Sequence, residues 1–124
     1  MVESAKIDKR LESYWIPKLV RAWRVSTGRS GPADTLTSAE IEQVGQAIRE
    51  LSRGLVGERE LIGRSYLSDP ASLGAYLLYF WPVSYAQARR IYAHIPELSG
   101  RALDLGAGPG PLGFAASDEG VDAV

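Results

Sequence analysis

The sequence predicts a mainly α-helical chain that closes on a single strand–loop–helix unit. Three observations predict it. Apolar residues recur at three- and four-residue spacing through most of the first 95 positions. Helix-start signals stand at Thr37 and Asp69. The period then changes to alternation over 101–105, directly before a run of glycines.

Residues 3–25 carry Ile7, Leu11, Tyr14, Trp15, Leu19 and Trp23 on one helical face, with Pro17 expected to kink or restart the helix. Ser26 to Asp34 is a loop of glycine, proline and small polar residues. Thr37-Ser-Ala-Glu40 fits a capping box, and Ile41, Val44, Ile48, Leu51 and Leu55 then form an apolar stripe, ended by Gly54 and Gly57. A short helix is expected over Glu58–Tyr66. Asp69-Pro70 opens the next helix, and Ala71–Phe80, apolar nearly all round, should be buried. Trp81-Pro82 should break it, with a further helix over 83–94 stopped by Pro96. Arg101–Leu105 reads as a strand, Pro111–Gly120 as a helix, and Val121–Val124 as the opening of a second strand. A domain boundary is expected near Glu97–Arg101.

Composition narrows the chemistry. The 124 residues are 45% apolar and 23% charged, ordinary for a soluble globular domain. With no cysteine, disulfides, thiolate metal sites and cysteine nucleophiles are excluded within the chain, and His94 as the one histidine offers no metal cage. The first 25 residues are interrupted by charge throughout, against a secretory signal, and the apolar run 73–83 is too short to span a bilayer. A cytoplasmic location is expected. The net charge of −1 hides an asymmetry: residues 1–30 hold seven basic and three acidic side chains. A basic amino-terminal arm on an acidic body hints at an anionic partner. Trp15, Lys18, Arg21, Trp23 and Arg24 interleave aromatic and basic groups, and Lys18, Arg21 and Arg24 are the candidate nucleic-acid contacts. The plainer reading is an amphipathic helix with inward tryptophans and snorkelling cations.

Strand, glycine-rich turn and helix form the first unit of a doubly wound α/β sheet. Two registers are open. Gly108-Pro-Gly110-Pro-Leu-Gly113 formally matches a dinucleotide fingerprint. Starting at Gly106, after the last apolar strand residue Leu105, the loop reads Asp104-Leu-Gly106-Ala-Gly108-Pro-Gly110. Asp104 would repel a pyrophosphate but favour a sulfonium and an α-ammonium group. The ending of a Walker loop is missing. The chemistry favours S-adenosylmethionine over NAD or ATP.

Leu103-Asp-Leu-Gly-Ala-Gly-Pro-Gly110 resembles motif I of class I S-adenosylmethionine-dependent methyltransferases. Gly57–Ile62, Ala75–Pro82 and Ser84–Arg89, upstream of it, resemble the methyltransferase-like family of small-ribosomal-subunit assembly factors, best known from mitochondria. The resemblance covers roughly residues 50–118. It implies an amino-terminal helical domain, residues 1–98, followed by the first β-α unit of an incomplete Rossmann-like methyltransferase fold, residues 99–124. It implies S-adenosylmethionine held at Asp104, Gly106, Gly108 and Gly110, in a loop whose Ala107 is also a candidate contact; Tyr85, placed just before the cofactor domain, is a further candidate to reach the cofactor's edge. It implies ribosomal RNA or the small ribosomal subunit as partner. No catalytic base can be nominated. The family's ribose-binding acid and its carboxy-terminal cysteines have no counterpart here, so the chain is expected to be an amino-terminal fragment, inactive by itself. The unpaired edges of so short a sheet are expected to self-associate or pack loosely.

Each reading has a plainer competitor. Asp104 could simply cap the turn, and the glycines could simply shape it. The aromatics Tyr76, Tyr79, Phe80, Trp81, Tyr85 and Tyr92 read more simply as core than as an RNA stacking surface. The alternative functions are a non-enzymatic RNA- or ribosome-binding assembly module and an NAD-type oxidoreductase.

Overall fold

The computed structural model describes residues 2–53, 68–96, 98–105 and 107–124. The expected helix 58–66, the expected stops Gly54 and Gly57, the stripe residue Leu55 and the loop residue Gly106 lie outside them. The chain is mainly helical. Its elements run α1 (Val2–Arg10), a π-helical turn (Leu11–Trp15), α2 (Ile16–Thr27), α3 (Ser38–Ser52), α4 (Pro70–Ala75), a second π turn (Tyr76–Phe80), α5 (Trp81–Tyr92), β1 (Arg101–Ala102), α6 (Pro111–Asp118) and β2 (Asp122–Ala123). Among the described residues no helix is long and apolar enough to cross a membrane.

The two π turns share a cause. Each ends two residues before a proline, Pro17 in one case and Pro82 in the other. Proline cannot donate to the carbonyl four residues back, and its ring crowds that carbonyl. Widening the preceding turn relieves the crowding without ending the helix. The expected break at Trp81-Pro82 is therefore corrected: every residue from Pro70 to Tyr92 is helical.

The chain forms two compact units, residues 16–80 and residues 1–15 with 81–124. The 98/99 boundary read from the sequence falls within the latter.

In the unit of residues 16–80, the capping box forms as its residues dictate. The Thr37 hydroxyl accepts from the Glu40 N–H, and the Glu40 carboxylate accepts from the Thr37 N–H. Asp69 likewise caps α4 through the Ser72 N–H, with Pro70 in the first turn. Leu19, Val20, Trp23, Val44, Ala47, Leu51, Ala75 and Leu77 are buried. Ile41, expected in the stripe, is 59% exposed, and Tyr79 of the expected buried segment is exposed too. The Trp23 indole is fully buried and donates to the Pro70 carbonyl at 2.8 Å. Gly74 makes that packing possible. A Cβ there would stand 2.9 Å from the Trp23 ring and 3.0 Å from Val44. Gly74→Ala is thus expected to destabilise by about 1–3 kcal/mol, measurable by urea denaturation, although alanine is the better helix former.

In the unit of residues 1–15 and 81–124, α1 and α6 both pack on α5. Ile7, Trp81, Tyr85, Ala86, Ala88, Ala115, Ala116 and Val121 are buried. An aromatic cluster joins them: Trp81 stacks on Tyr85 at 5.4 Å, and Trp15 meets Trp81, Tyr85 and Phe114 at 4.9–5.9 Å. Asp118 ties the cluster together by accepting from Arg10, the Trp15 indole and the Tyr85 hydroxyl. Burial would raise its pKa, but those hydrogen bonds outweigh burial and hold it below the usual carboxylate range.

Candidate functional site

The glycine loop is positioned by a parallel strand pair. β1 pairs with β2 in the register Arg101↔Asp122 and Ala102↔Ala123. Backbone bonds extend the pairing on both sides, from Asp122 N–H to Gly100 (2.9 Å) and from Asp104 N–H to Val124 (2.7 Å). The expected strand 101–105 is thus only two residues long, because strand geometry persists only where a neighbour supplies the ladder. Leu103 and Leu105 are exposed beyond it.

After the strand, the Gly110 N–H closes a turn onto the Ala107 carbonyl at 2.9 Å. Gly108 and Gly110 both adopt the left-handed region, with φ of 55° and 77°. Any L side chain is strained there. A Cβ on Gly108 would meet nothing within 4 Å, so the loop backbone is open to an approaching group. Gly110 is also the N-cap of α6 and has no side chain with which to cap it. Asp104, just past β1, replaces that cap: its carboxylate accepts from the Gly113 N–H at 3.0 Å. The Trp81 indole donates to the Pro109 carbonyl at 3.0 Å and anchors the other side of the loop.

Beside the loop lies an open groove of about 210 Å³, lined by Asp104, Ala107 and Gly110, by Gly113, Phe114 and Ser117 of α6, and by Val124. That is below the roughly 300–1,000 Å³ of ordinary small-molecule pockets. The groove can hold one part of a cofactor, not a whole dinucleotide. Its electrostatics are selective. A helix N-terminus alone attracts anions. Here the Asp104 carboxylate already lies on that terminus, so a second anion meets repulsion, and a cationic or neutral donor group is favoured.

Asp104, Ala107 and Gly110 therefore line one groove, and Gly108 stands in the same loop outside that lining. Tyr85 does not line it. Its ring is fully buried, and its hydroxyl is bonded to Asp118, at the far end of α6 from the loop, and to Arg89. Burial first, and then the Asp118 hydrogen bond, push its pKa up against the opposing influence of Arg89. The expectation that Tyr85 reaches the groove is corrected: its ring serves as core.

The proposed nucleic-acid face is also corrected at Arg24. That side chain is only 6% exposed and is spent on Glu40 at 2.8 Å and on the carbonyls of Pro32 and Thr35 at 2.7 Å. Trp23 points inward as well. Lys18 and Arg21 remain exposed, and Arg21 reaches back to the Pro17 carbonyl.

Sequence reasoning read Trp81 as core but missed its bond to the loop, and it missed Asp118 altogether. Both left a signal. A tryptophan four residues before Tyr85 on an apolar helix needs a buried acceptor for its N–H. An aspartate in the last turn of a helix opposes the dipole and so asks for a specific cationic partner.

Comparison with protein-family models, curated proteins and solved structures gives no match to the chain.

Proposed function

We propose that residues 101–124 are the opening β–loop–α–β unit of a Rossmann-like S-adenosylmethionine-binding fold, and that the protein belongs to a methyltransferase acting on ribosomal RNA or the small ribosomal subunit. One observation carries the cofactor reading: a carboxylate, Asp104, lies on the helix N-terminus behind a loop whose glycines leave the backbone bare. That pairing suits a sulfonium or ammonium group and opposes a pyrophosphate, which weighs against the NAD alternative. The ribosomal target rests on the resemblance of residues 50–118 alone.

When bound, the cofactor supplies an electrophilic methyl group. The chain's part is placement. Gly108 and Gly110 admit the ligand to the backbone, Asp104 offsets its positive charge, and Phe114 offers an apolar wall. In this reading the outer edges of the two-stranded sheet are where further strands add.

The test is a titration of the isotope-labelled chain with S-adenosylhomocysteine and, separately, NADH. The expected result is that S-adenosylhomocysteine shifts the amides of Ala107–Phe114 while NADH does not. The reverse pattern would establish the dinucleotide reading. No shift with either would leave the loop a structural turn.

A further inference from the structure

A second concave site lies on the unit of residues 1–15 and 81–124, away from the glycine loop. Lys6, Lys9, Arg10 and Ser13 fall at helical spacings of three, four and seven, so they share one stripe across α1 and the π turn. Arg89 of α5 faces the same hollow, which has a volume of about 380 Å³ and includes Asp118.

Two features distinguish this hollow from an ordinary solvated basic face. First, it has a buried cationic floor. Arg89 is 4% exposed and is held in place by two bonds, from Nε to Glu119 (2.9 Å) and from Nη1 to the Tyr85 hydroxyl (3.2 Å). A guanidinium already fixed loses little freedom when it meets a ligand. Second, the charge does not balance. Asp118 answers Arg10 and Glu119 answers Arg89. Lys6 and Lys9 have no ion-pair partner among the described residues, which leaves two positive charges in excess. The Ser13 hydroxyl on the same stripe donates its hydrogen to the Lys9 carbonyl at 2.6 Å, which leaves the donors to the lysines and Arg89. Asp8, off the stripe, is engaged by Arg90.

We propose that this hollow binds a phosphate group, with Lys6 and Lys9 supplying the neutralising charge and Arg89 the fixed floor. Two lysines and a guanidinium around one pocket match a phosphate's charge and its several acceptor oxygens. The phosphate belongs either to a small phosphorylated molecule or to a nucleic-acid backbone. In the second case it moves the nucleic-acid contact from Lys18, Arg21 and Arg24 to the first turns of the chain. The inference does not depend on the cofactor reading, because the two are read at different amides.

The experiment titrates the labelled full chain with inorganic phosphate at constant ionic strength held by chloride. A single-stranded RNA dodecamer is then titrated by fluorescence anisotropy over a salt series. Phosphate should shift the amides from Lys9 to Ser13 and the Arg89 side-chain signal, and the Lys6→Gln/Lys9→Gln variant should abolish those shifts. Both lysines are exposed, so that variant should fold. If the phosphate is a backbone phosphate, the same variant weakens RNA binding about tenfold and reduces the salt slope by about 1.4, the value for two single-strand contacts. If RNA binds no better than inorganic phosphate, the ligand is a small phosphorylated molecule. A Lys18→Gln/Arg21→Gln control removes equal charge elsewhere and should change neither result. The proposal is overturned if chloride alone produces the same shifts, or if the control pair loses as much as the Lys6/Lys9 pair.

Discussion

Glu40→Ala is expected to cost about 3–5 kcal/mol of folding stability, read as a lower urea midpoint with an unchanged denaturant slope. Glu40 and Arg24 are each 6% exposed, and their four terminal atoms meet in a fork at 2.8 Å. Forming such a pair gains little, because both charges give up water to make it. Breaking it is costly, because the surviving charge stays buried without a counter-ion. Arg24 would keep its bonds to the Pro32 and Thr35 carbonyls but lose its anion. The same substitution removes half of the capping box, since the Thr37 N–H loses its acceptor. Small domains hold only about 5–15 kcal/mol in total, so the variant should be close to unfolding at 37 °C. A loss below about 1 kcal/mol would mean that the pair behaves as an exposed one.

The same carboxylate sets an acid limb. Hydrogen bonds from Arg24 and then from the Thr37 backbone lower the Glu40 pKa from 4.5 to about 2. A carboxyl whose pKa is depressed by folding adds stability that is complete above its unfolded pKa and is lost as pH falls toward its folded one. For Glu40 that window runs from about 4.5 down to about 2. Denaturation at a series of pH values should show stability falling through it. The Glu40→Gln variant should show a shallower fall there, because glutamine cannot take up the proton.

What the sequence made legible was local. Thr37 with Glu40, and Asp69 with Pro70, lie within four residues of each other, and their chemistry works without the rest of the fold. Arg24 could not be read in the same way. Its partner lies sixteen residues away, and an arginine on a helix face looks alike whether its mate is a carboxylate or solvent. Pro82 was legible as a perturbation but not as a π turn, because whether a helix breaks or widens depends on what packs on both sides. Strand length was illegible for a related reason: alternation over 101–105 marks a propensity, and only pairing with β2 fixes how many residues realise it. The placement of Asp104 beside a glycine loop was visible in the residue order. Its hydrogen bond to Gly113 was not, since that depends on how the loop folds back.

Trp81 gives the second large effect, and two substitutions separate its two roles. Trp81→Ala is expected to cost about 3–5 kcal/mol, because a side chain 1% exposed would leave a cavity among Trp15, Tyr85 and Phe114. Trp81→Phe refills most of that space and keeps an aromatic face for Tyr85. What it removes is the indole N–H that holds the Pro109 carbonyl. Its stability cost should be smaller, about 1–2 kcal/mol, but its effect should concentrate in the loop. Amide exchange at Gly110, whose N–H is bonded to the Ala107 carbonyl, should quicken in the phenylalanine variant while the amides of α1 and α5 keep their protection. If the loop is a preorganised ligand cradle, the same variant should also weaken S-adenosylhomocysteine binding more than its small stability loss accounts for, because the ligand must then order the loop itself. Unchanged exchange in the loop would show that Pro109 is held by the backbone turn alone. Trp81 would then be a core residue whose indole bond is incidental to the site.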